Sequence, residues 1–357
     1  MKHTLKLYGT LGPAACTKET LQEMLRLGMT GIRLNLSHSK LEDCAEWLHN
    51  LRTASEAIRI VPDLLLDLQG PEVRIGVLDA PLVLENGDSV FFTAGSPSFA
   101  KENAANSPFT KQIIPVPPEI FPHLSAGQTI RLDDGKIILQ AEQTDRDALC
   151  ATARVNTGGT LFSRKSLSID GVSLRLPTLT KQDKENLSHA SRFGVTGVML
   201  PFVRDADDLF YLKQTLMQLG LAHIRIFAKI ENRAGVEQLS SLLPHCDEIV
   251  IARGDLGNAY PLSKLPAVQK DIARTCLLAK KPFMVVTQML ASMETHPIPT
   301  RAEVSDIFNA VMDGASSLML TGETAAGQYP VQAMKTLADT SYEALRYRMQ
   351  PRFPFAF

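Results

Sequence analysis

The chain has almost no excess of charge of either sign: 37 Lys and Arg stand against 38 Asp and Glu, a formal net charge of -1 over 357 residues. That balance excludes a global pull toward nucleic acid or acidic membrane, so an anion must be held by a local basic cluster. Paired cysteines are lacking too. The five present, Cys16, Cys44, Cys150, Cys246 and Cys276, are odd in number, scattered and in no C-x-x-C arrangement, which argues against a disulfide framework or a structural zinc site. No run of about 18 apolar residues occurs. The opening stretch MKHTLKLYGTLG has no apolar signal core, so the expectation is a cytoplasmic protein with no membrane span and no nucleic-acid partner. Internal repeats and low-complexity tracts are absent as well.

What is present is the composition of an ordinary globular protein, 45% hydrophobic and 21% charged, long enough for one large α/β domain plus a smaller one. Short apolar runs at residues 6–11, 31–36, 64–68, 198–202, 226–230, 248–252, 283–287 and 318–321 alternate with amphipathic stretches. Such runs fit strands buried on both faces of a parallel sheet. Thr17 can cap TKETLQEMLRLG, in which Leu21, Met24 and Leu25 share a face before Gly28 ends the helix. Thr180 with Asp183 resembles a capping box. Eight strands alternating with helices predict an α/β fold, a (β/α)8 TIM barrel. Between residues 76 and 174 the text turns to short alternating runs punctuated by Asn86-Gly87, Asp133-Asp134-Gly135 and Asn156-Thr157-Gly158-Gly159. This predicts a small all-β domain inserted after the third barrel strand, with residues 1–75 and 175–357 forming the barrel.

Barrel enzymes draw their chemistry from the C-terminal ends of the strands, and here those ends are rich in polar residues. The second run continues into Arg33-Leu34-Asn35-Leu36-Ser37-His38 and the third into Asp67-Leu68-Gln69-Gly70-Pro71-Glu72-Val73-Arg74. The fifth runs into Lys229-Ile230-Glu231-Asn232, the sixth leads to Arg253-Gly254-Asp255, the seventh to Thr287-Gln288 and the eighth to Thr321-Gly322-Glu323. Singly, each has a plain structural explanation: Lys229 and Glu231, two apart, face the same way and can neutralise one another, and Asp255 can be a helix cap. Together, Arg33, Lys229 and Arg74 against Glu231, Asp255 and Asp67 offer cations for a phosphorylated anion and carboxylates for a divalent metal. Mg2+ takes one or two carboxylates plus waters and substrate oxygens, a set Glu231 and Asp255 can supply. The residues point to metal-assisted chemistry on a small phosphorylated acid.

In order along the chain, GTLGPAACTKETLQEMLRLGM, IRLNLSHS, LDLQGPEVRIG, AKIEN, IARGDLG, VVTQMLASM, PTRAEVSDIFNAVMDGA and MLTGETAAGQYP resemble the successive signatures of the pyruvate kinase family. The resemblance implies transfer of the phosphoryl group of phosphoenolpyruvate to ADP, giving pyruvate and ATP, with Mg2+ (or Mn2+) and K+. It implies that Glu231 and Asp255 ligate the divalent metal, that Arg33 holds the phosphate and that Lys229 stabilises the phosphoryl group in flight. The amides around Gly254 and Asp255 would receive the substrate carboxylate. Thr287 would stand beside the carbon that gains a proton, with Thr321 and Glu323 as a relay. Asn35, Ser37, Asp67 and the Leu68 carbonyl match the family's potassium site, and Glu72 matches the acid that goes with potassium dependence. Arg74, Lys165, Asn35 and His38 would contact or flank the nucleotide, and the inserted domain would close over the mouth.

The chain departs from the family at Leu68-Gln69, where Thr-Lys is usual, at Ala259, where an acid is usual, and at Pro201 and Thr321. Its length implies that the family's C-terminal regulatory domain is missing, that allostery is lost and that a homodimer forms through barrel helices, with the tail 353–357 covering apolar surface. The alternatives are a specialised relative acting on phosphoenolpyruvate or an analogue in a secondary pathway, and a non-catalytic ligand-binding regulator on the same scaffold.

Overall fold

Eight parallel strands close into a barrel in the order β1-β16-β15-β14-β13-β12-β3-β2, as the alternation of apolar runs and helices predicts. The strands are β1 (Lys6–Leu11), β2 (Gly31–Asn35), β3 (Asp63–Asp67), β12 (Gly197–Leu200), β13 (Arg225–Ile230), β14 (Glu248–Ala252), β15 (Phe283–Val286) and β16 (Ser317–Met319). This computed structural model describes residues 5–37, 39–94, 112–133, 135–172 and 176–350. His38 and the tail 353–357, both singled out from sequence, lie outside the described residues. The runs expected at 198–202 and 283–287 end earlier as strands because Phe202 and Thr287 take left-handed backbone, with φ of 53° and 72°.

Apolar side chains pack on both faces of the barrel strands. Tyr8, Leu65, Met199, Phe227, Met284 and Met319 fill its interior, each burial worth about 1.5–3 kcal/mol. Gly197 leaves them the room: a Cβ there would lie 2.7 Å from both Leu65 and Phe227. Outside the strands, helices lay down apolar stripes such as Leu21, Met24 and Leu25 of the helix Lys18–Arg26, whose cap Thr17 accepts a hydrogen bond from Thr20 N. Thr180 and Asp183 close a capping box on the helix Lys181–Ser188. Among the described residues no helix is long and apolar enough to cross a membrane.

The chain divides into two compact units, Met1–Gly70 with Pro177–Phe357, and Pro71–Leu176. The first contains the barrel. The second holds a six-stranded sheet in the order β11-β7-β8-β9-β5-β6 and a pair β10-β4, from β4 (Leu82–Leu84), β5 (Ser89–Ala94), β6 (Ile113–Val116), β7 (Thr129–Leu132), β8 (Ile137–Asp145), β9 (Cys150–Thr157), β10 (Gly159–Leu161) and β11 (Leu167–Ile169). Its own apolar core includes Phe92, Phe121, Ile130 and Leu139.

Candidate active site

Because all eight barrel strands run the same way, their C-terminal residues gather at one end. Asp67, the last residue of β3, sits there with its side chain 2% exposed. Arg33 of β2 reaches it with Nε at 2.7 Å, and Lys229 of β13 places Nζ 3.1 Å from both carboxylate oxygens. The same Nζ is 3.0 Å from Glu231 Oε1, as two residues on one face of a strand allow. Burial would raise the Asp67 carboxyl, and the charges of Lys229 and Arg33 outweigh it, holding it below the usual carboxylate range. Burial would likewise lower Lys229, and Asp67 and Glu231 overcome it and hold the ammonium above its ordinary value. Such a cluster is stable only while every member is present: removing one partner of a buried pair costs about 3–5 kcal/mol.

Glu231 is buried, and its second oxygen accepts the Phe202 N–H at 2.8 Å. Asp255, in the first turn of the helix Arg253–Ala259, lies near enough that its charge also helps hold the Lys229 proton. Among the described residues no three His, Cys, Asp or Glu side chains are arranged to hold a metal, which leaves no all-protein cage. Two carboxylates, Glu231 and Asp255, near the Lys229 ammonium are a donor set that fits Mg2+, which keeps several waters and takes further oxygens from a bound anion.

Thr287 has a left-handed backbone, as does Gln288 at φ 52°, a conformation that costs a β-branched residue energy and collects at functional sites. Arg253 secures it, donating Nε and Nη2 to the Thr287 carbonyl at 3.1 and 2.7 Å. The Thr287 hydroxyl donates to Val286 O at 2.6 Å and accepts from Gly254 N at 2.8 Å. Thr321 lies two residues beyond the end of β16. Its N–H and hydroxyl donate to Glu323 Oε2 at 2.7 and 3.2 Å, while Oε1 of this buried carboxylate accepts from Leu290 N at 2.9 Å.

The turn after β3 is held from several sides. Leu36 N donates to Asp67 O at 2.9 Å and Leu68 N to Met199 O at 3.1 Å. Asn35 Oδ1 accepts from Ser37 N at 3.1 Å. Gly70 has φ +61°, and a Cβ there would meet Pro201 at 2.4 Å. Two residues that sequence reasoning did not assign to the site belong to this framework. Thr10 accepts from Arg33 Nη1 at 3.3 Å and donates to Leu320 O at 2.8 Å, tying the arginine to the end of β16. Asp183, read only as a helix cap, also takes the N–H groups of Gln69 and Gly70. Neither carries a local signal, since the partners are more than a hundred residues away for Asp183 and Leu320.

Arg74 and Lys165 belong to the second unit, not to the barrel. Arg74 pairs with Glu72 and donates Nη1 to Arg164 O at 2.9 Å, while its buried Nε has no hydrogen-bond partner among the described residues. Lys165 Nζ lies 2.8 Å from Asp133. Burial would raise that carboxyl, and Lys165 and Lys136 outweigh it and hold it low.

Residues 2–334 match the family model "Pyruvate kinase, barrel domain". The chain is 35% identical over 351 residues to a pyruvate kinase of Geobacillus stearothermophilus, covering 98% of this chain and 58% of that protein. It is 37% identical over 347 residues to a pyruvate kinase of Aeropyrum pernix, covering 97% of this chain and 72% of that one. Against the pyruvate kinase PKLR of Homo sapiens it is 39% identical over 339 residues, 92% of this chain and 58% of the human protein. The chain thus spans under three fifths of the length of two of these relatives, and the matched length contains every barrel residue described above: the chain belongs to the pyruvate kinase family.

Proposed function

We propose that the barrel mouth binds phosphoenolpyruvate and passes its phosphoryl group to ADP, releasing pyruvate. The observation that carries this is the pair of largely shielded cations, Arg33 and Lys229, converged on the buried Asp67. Phosphoryl transfer asks for little covalent chemistry from a protein and much positioned positive charge. Arg33, fixed by Asp67 and Thr10, orients the phosphate. Lys229, kept protonated by three carboxylates, meets the charge spread over the phosphoryl oxygens in flight. The P–O bond to the enol oxygen breaks, a terminal ADP oxygen bonds to phosphorus, and the released electron pair leaves an enolate whose carbon takes a proton.

Glu231 and Asp255 would hold Mg2+ or Mn2+, which supplies Lewis-acid stabilisation of the anionic oxygens when bound. Asn35, Ser37, Asp67 and the Leu68 carbonyl would hold K+. The amides of Gly254 and Asp255 would take the substrate carboxylate. In the structure Gly254 N–H is donated to Thr287 Oγ1, so substrate binding would exchange one acceptor for another and free a lone pair of the Thr287 oxygen, whose proton is held by Val286 O. A threonine is a weak acid, so a water chain linked to Thr321 and Glu323 delivers the proton. Arg74 and Lys165 would contact the nucleotide. A homodimer through barrel helices, including the helix Arg301–Met312 that follows Pro299-Thr300, belongs to the same proposal, and sedimentation tests it.

The test is pyruvate formation from phosphoenolpyruvate and ADP with Mg2+ and K+. Turnover that disappears in Lys229→Met supports the reading, and no turnover above that variant contradicts it. Leu68-Gln69, which removes a hydroxyl and a cation from the family's turn, favours a second reading in which another phosphate acceptor or an analogue is used. A large gain in ADP-dependent rate in the double variant Leu68→Thr, Gln69→Lys would favour it over the first.

A further inference from the structure

Asp183 does more than cap a helix. Its Oδ2 accepts from Thr180 N at 2.9 Å and Thr180 Oγ1 at 2.8 Å, which completes the capping box. Its Oδ1 leaves the helix altogether and accepts from Gln69 N at 2.8 Å, and Oδ2 also accepts from Gly70 N at 3.1 Å. The carboxylate is 0% exposed, so these bonds are made out of water, where charge-assisted hydrogen bonds are strong.

Peptide geometry gives this grip a consequence. A trans peptide is planar and sets its C=O opposite to its N–H, and no cis peptide occurs among the described residues. The Gln69 N–H belongs to the same peptide unit as the Leu68 C=O. Drawing that N–H to Asp183 therefore aims the Leu68 carbonyl away from Asp183, and a negative acceptor on the N–H polarises the amide so that its oxygen is more negative. The peptide is not free to swing. On one side Leu68 N is held by Met199 O, and on the other Gly70 stands in a left-handed conformation against Pro201.

We infer that Asp183 is a positioning residue that aims and polarises the Leu68 carbonyl, and so sets the affinity of the barrel mouth for its monovalent cation. This rests on the cation reading proposed above and adds to it a residue outside the ligand set. Asparagine at 183 keeps the shape but replaces one acceptor by a donor facing the N–H groups, and it removes the charge. Thr180→Val is the control, since it breaks the capping box and, although it removes the hydroxyl donor to Oδ2, leaves both turn bonds their own donor and acceptor atoms.

The experiment measures the half-saturating K+ concentration for pyruvate formation, the melting temperature, and hydrogen exchange at the Gln69 and Gly70 amides, in the full chain and both variants. Asp183→Asn is expected to raise half-saturating K+ by about tenfold or more and to speed exchange at both amides, as loss of a buried charge-assisted bond implies. Thr180→Val is expected to lower the melting temperature while leaving half-saturating K+ at the wild-type value. An unchanged K+ response in Asp183→Asn, or equal shifts in both variants, would reduce Asp183 to a helix cap and overturn the inference. A wild type that turns over without responding to K+ overturns the cation reading and this inference with it, and that failure is seen in the wild type alone. If the wild type shows no turnover, the K+-dependent shift in melting temperature is compared across the same three proteins, and the same outcomes decide.

Discussion

β3 begins and ends with aspartate, and the two ends use it differently. At the base of the barrel Asp63 accepts from Lys6 Nζ and Tyr8 Oη at 2.9 Å each and pairs with Arg225 at 2.6 Å. At the mouth Asp67 collects Arg33 and Lys229. Both carboxyls are held low by a lysine and an arginine, against burial that would raise them. The difference is water: side-chain exposure at the base is 40% for Lys6, 21% for Asp63 and 31% for Arg225, and at the mouth 13%, 2% and 12% for Arg33, Asp67 and Lys229. A half-wet pair contributes little and costs little. A dry cluster that adds a further carboxylate, Glu231, is expensive to keep, and in a barrel the mouth is where such cost is repaid by a ligand's charge.

The largest test of this contrast uses two residues of β13. Lys229→Met should reduce pyruvate formation by at least about a hundredfold, whereas Arg225→Met should lower the melting temperature and leave turnover per folded molecule essentially unchanged. Steady-state kinetics beside thermal melts separate them, and equal kinetic losses would erase the distinction between mouth and base.

A second effect comes from acid. The Asp67 carboxyl is depressed in the folded state, so the stability it contributes is present above the unfolded value of about 3.9 and is lost as pH falls through its lower folded value. Asp67→Asn should therefore lack that part of the acid-side loss of stability, read from melting temperature against pH. The smallest effect concerns Glu248, at the start of β14, which accepts from Ser316 and Ser317 hydroxyls at 3.0 and 2.5 Å. Burial pushes this carboxyl up, opposed by the two serines. The folded state then binds the proton more tightly than the unfolded one, so stability falls as pH rises from the unfolded toward the folded value. Glu248→Gln should melt at a higher temperature than wild type at neutral pH and at the same temperature in acid.

The barrel was legible because its signals are local. Apolar runs bounded by polar residues marked all eight strands to within two residues, and Thr17, Thr180 and Asp183 marked helix starts through side-chain to backbone bonds three residues long. That Arg33, Asp67, Lys229 and Glu231 meet at one end was legible because strand position and chain direction send them there. Thr10 and the second task of Asp183 were not, because their partners are brought near only by closure of the barrel. The left-handed backbone of Phe202, Thr287 and Gln288 was hidden as well, since tertiary bonds such as those from Arg253 to the Thr287 carbonyl impose a conformation that no local preference favours.

The claim that the mouth of β3, and not its base, carries the chemistry is tested most directly by following phosphorus with nuclear magnetic resonance in Asp67→Asn and Asp63→Asn, each given phosphoenolpyruvate, ADP, Mg2+ and K+. The expected result is that the phosphoenolpyruvate signal passes into ATP with wild type and Asp63→Asn and stays where it is with Asp67→Asn. Transfer by Asp67→Asn at the wild-type rate, or its loss in Asp63→Asn while that variant remains folded, would contradict the claim.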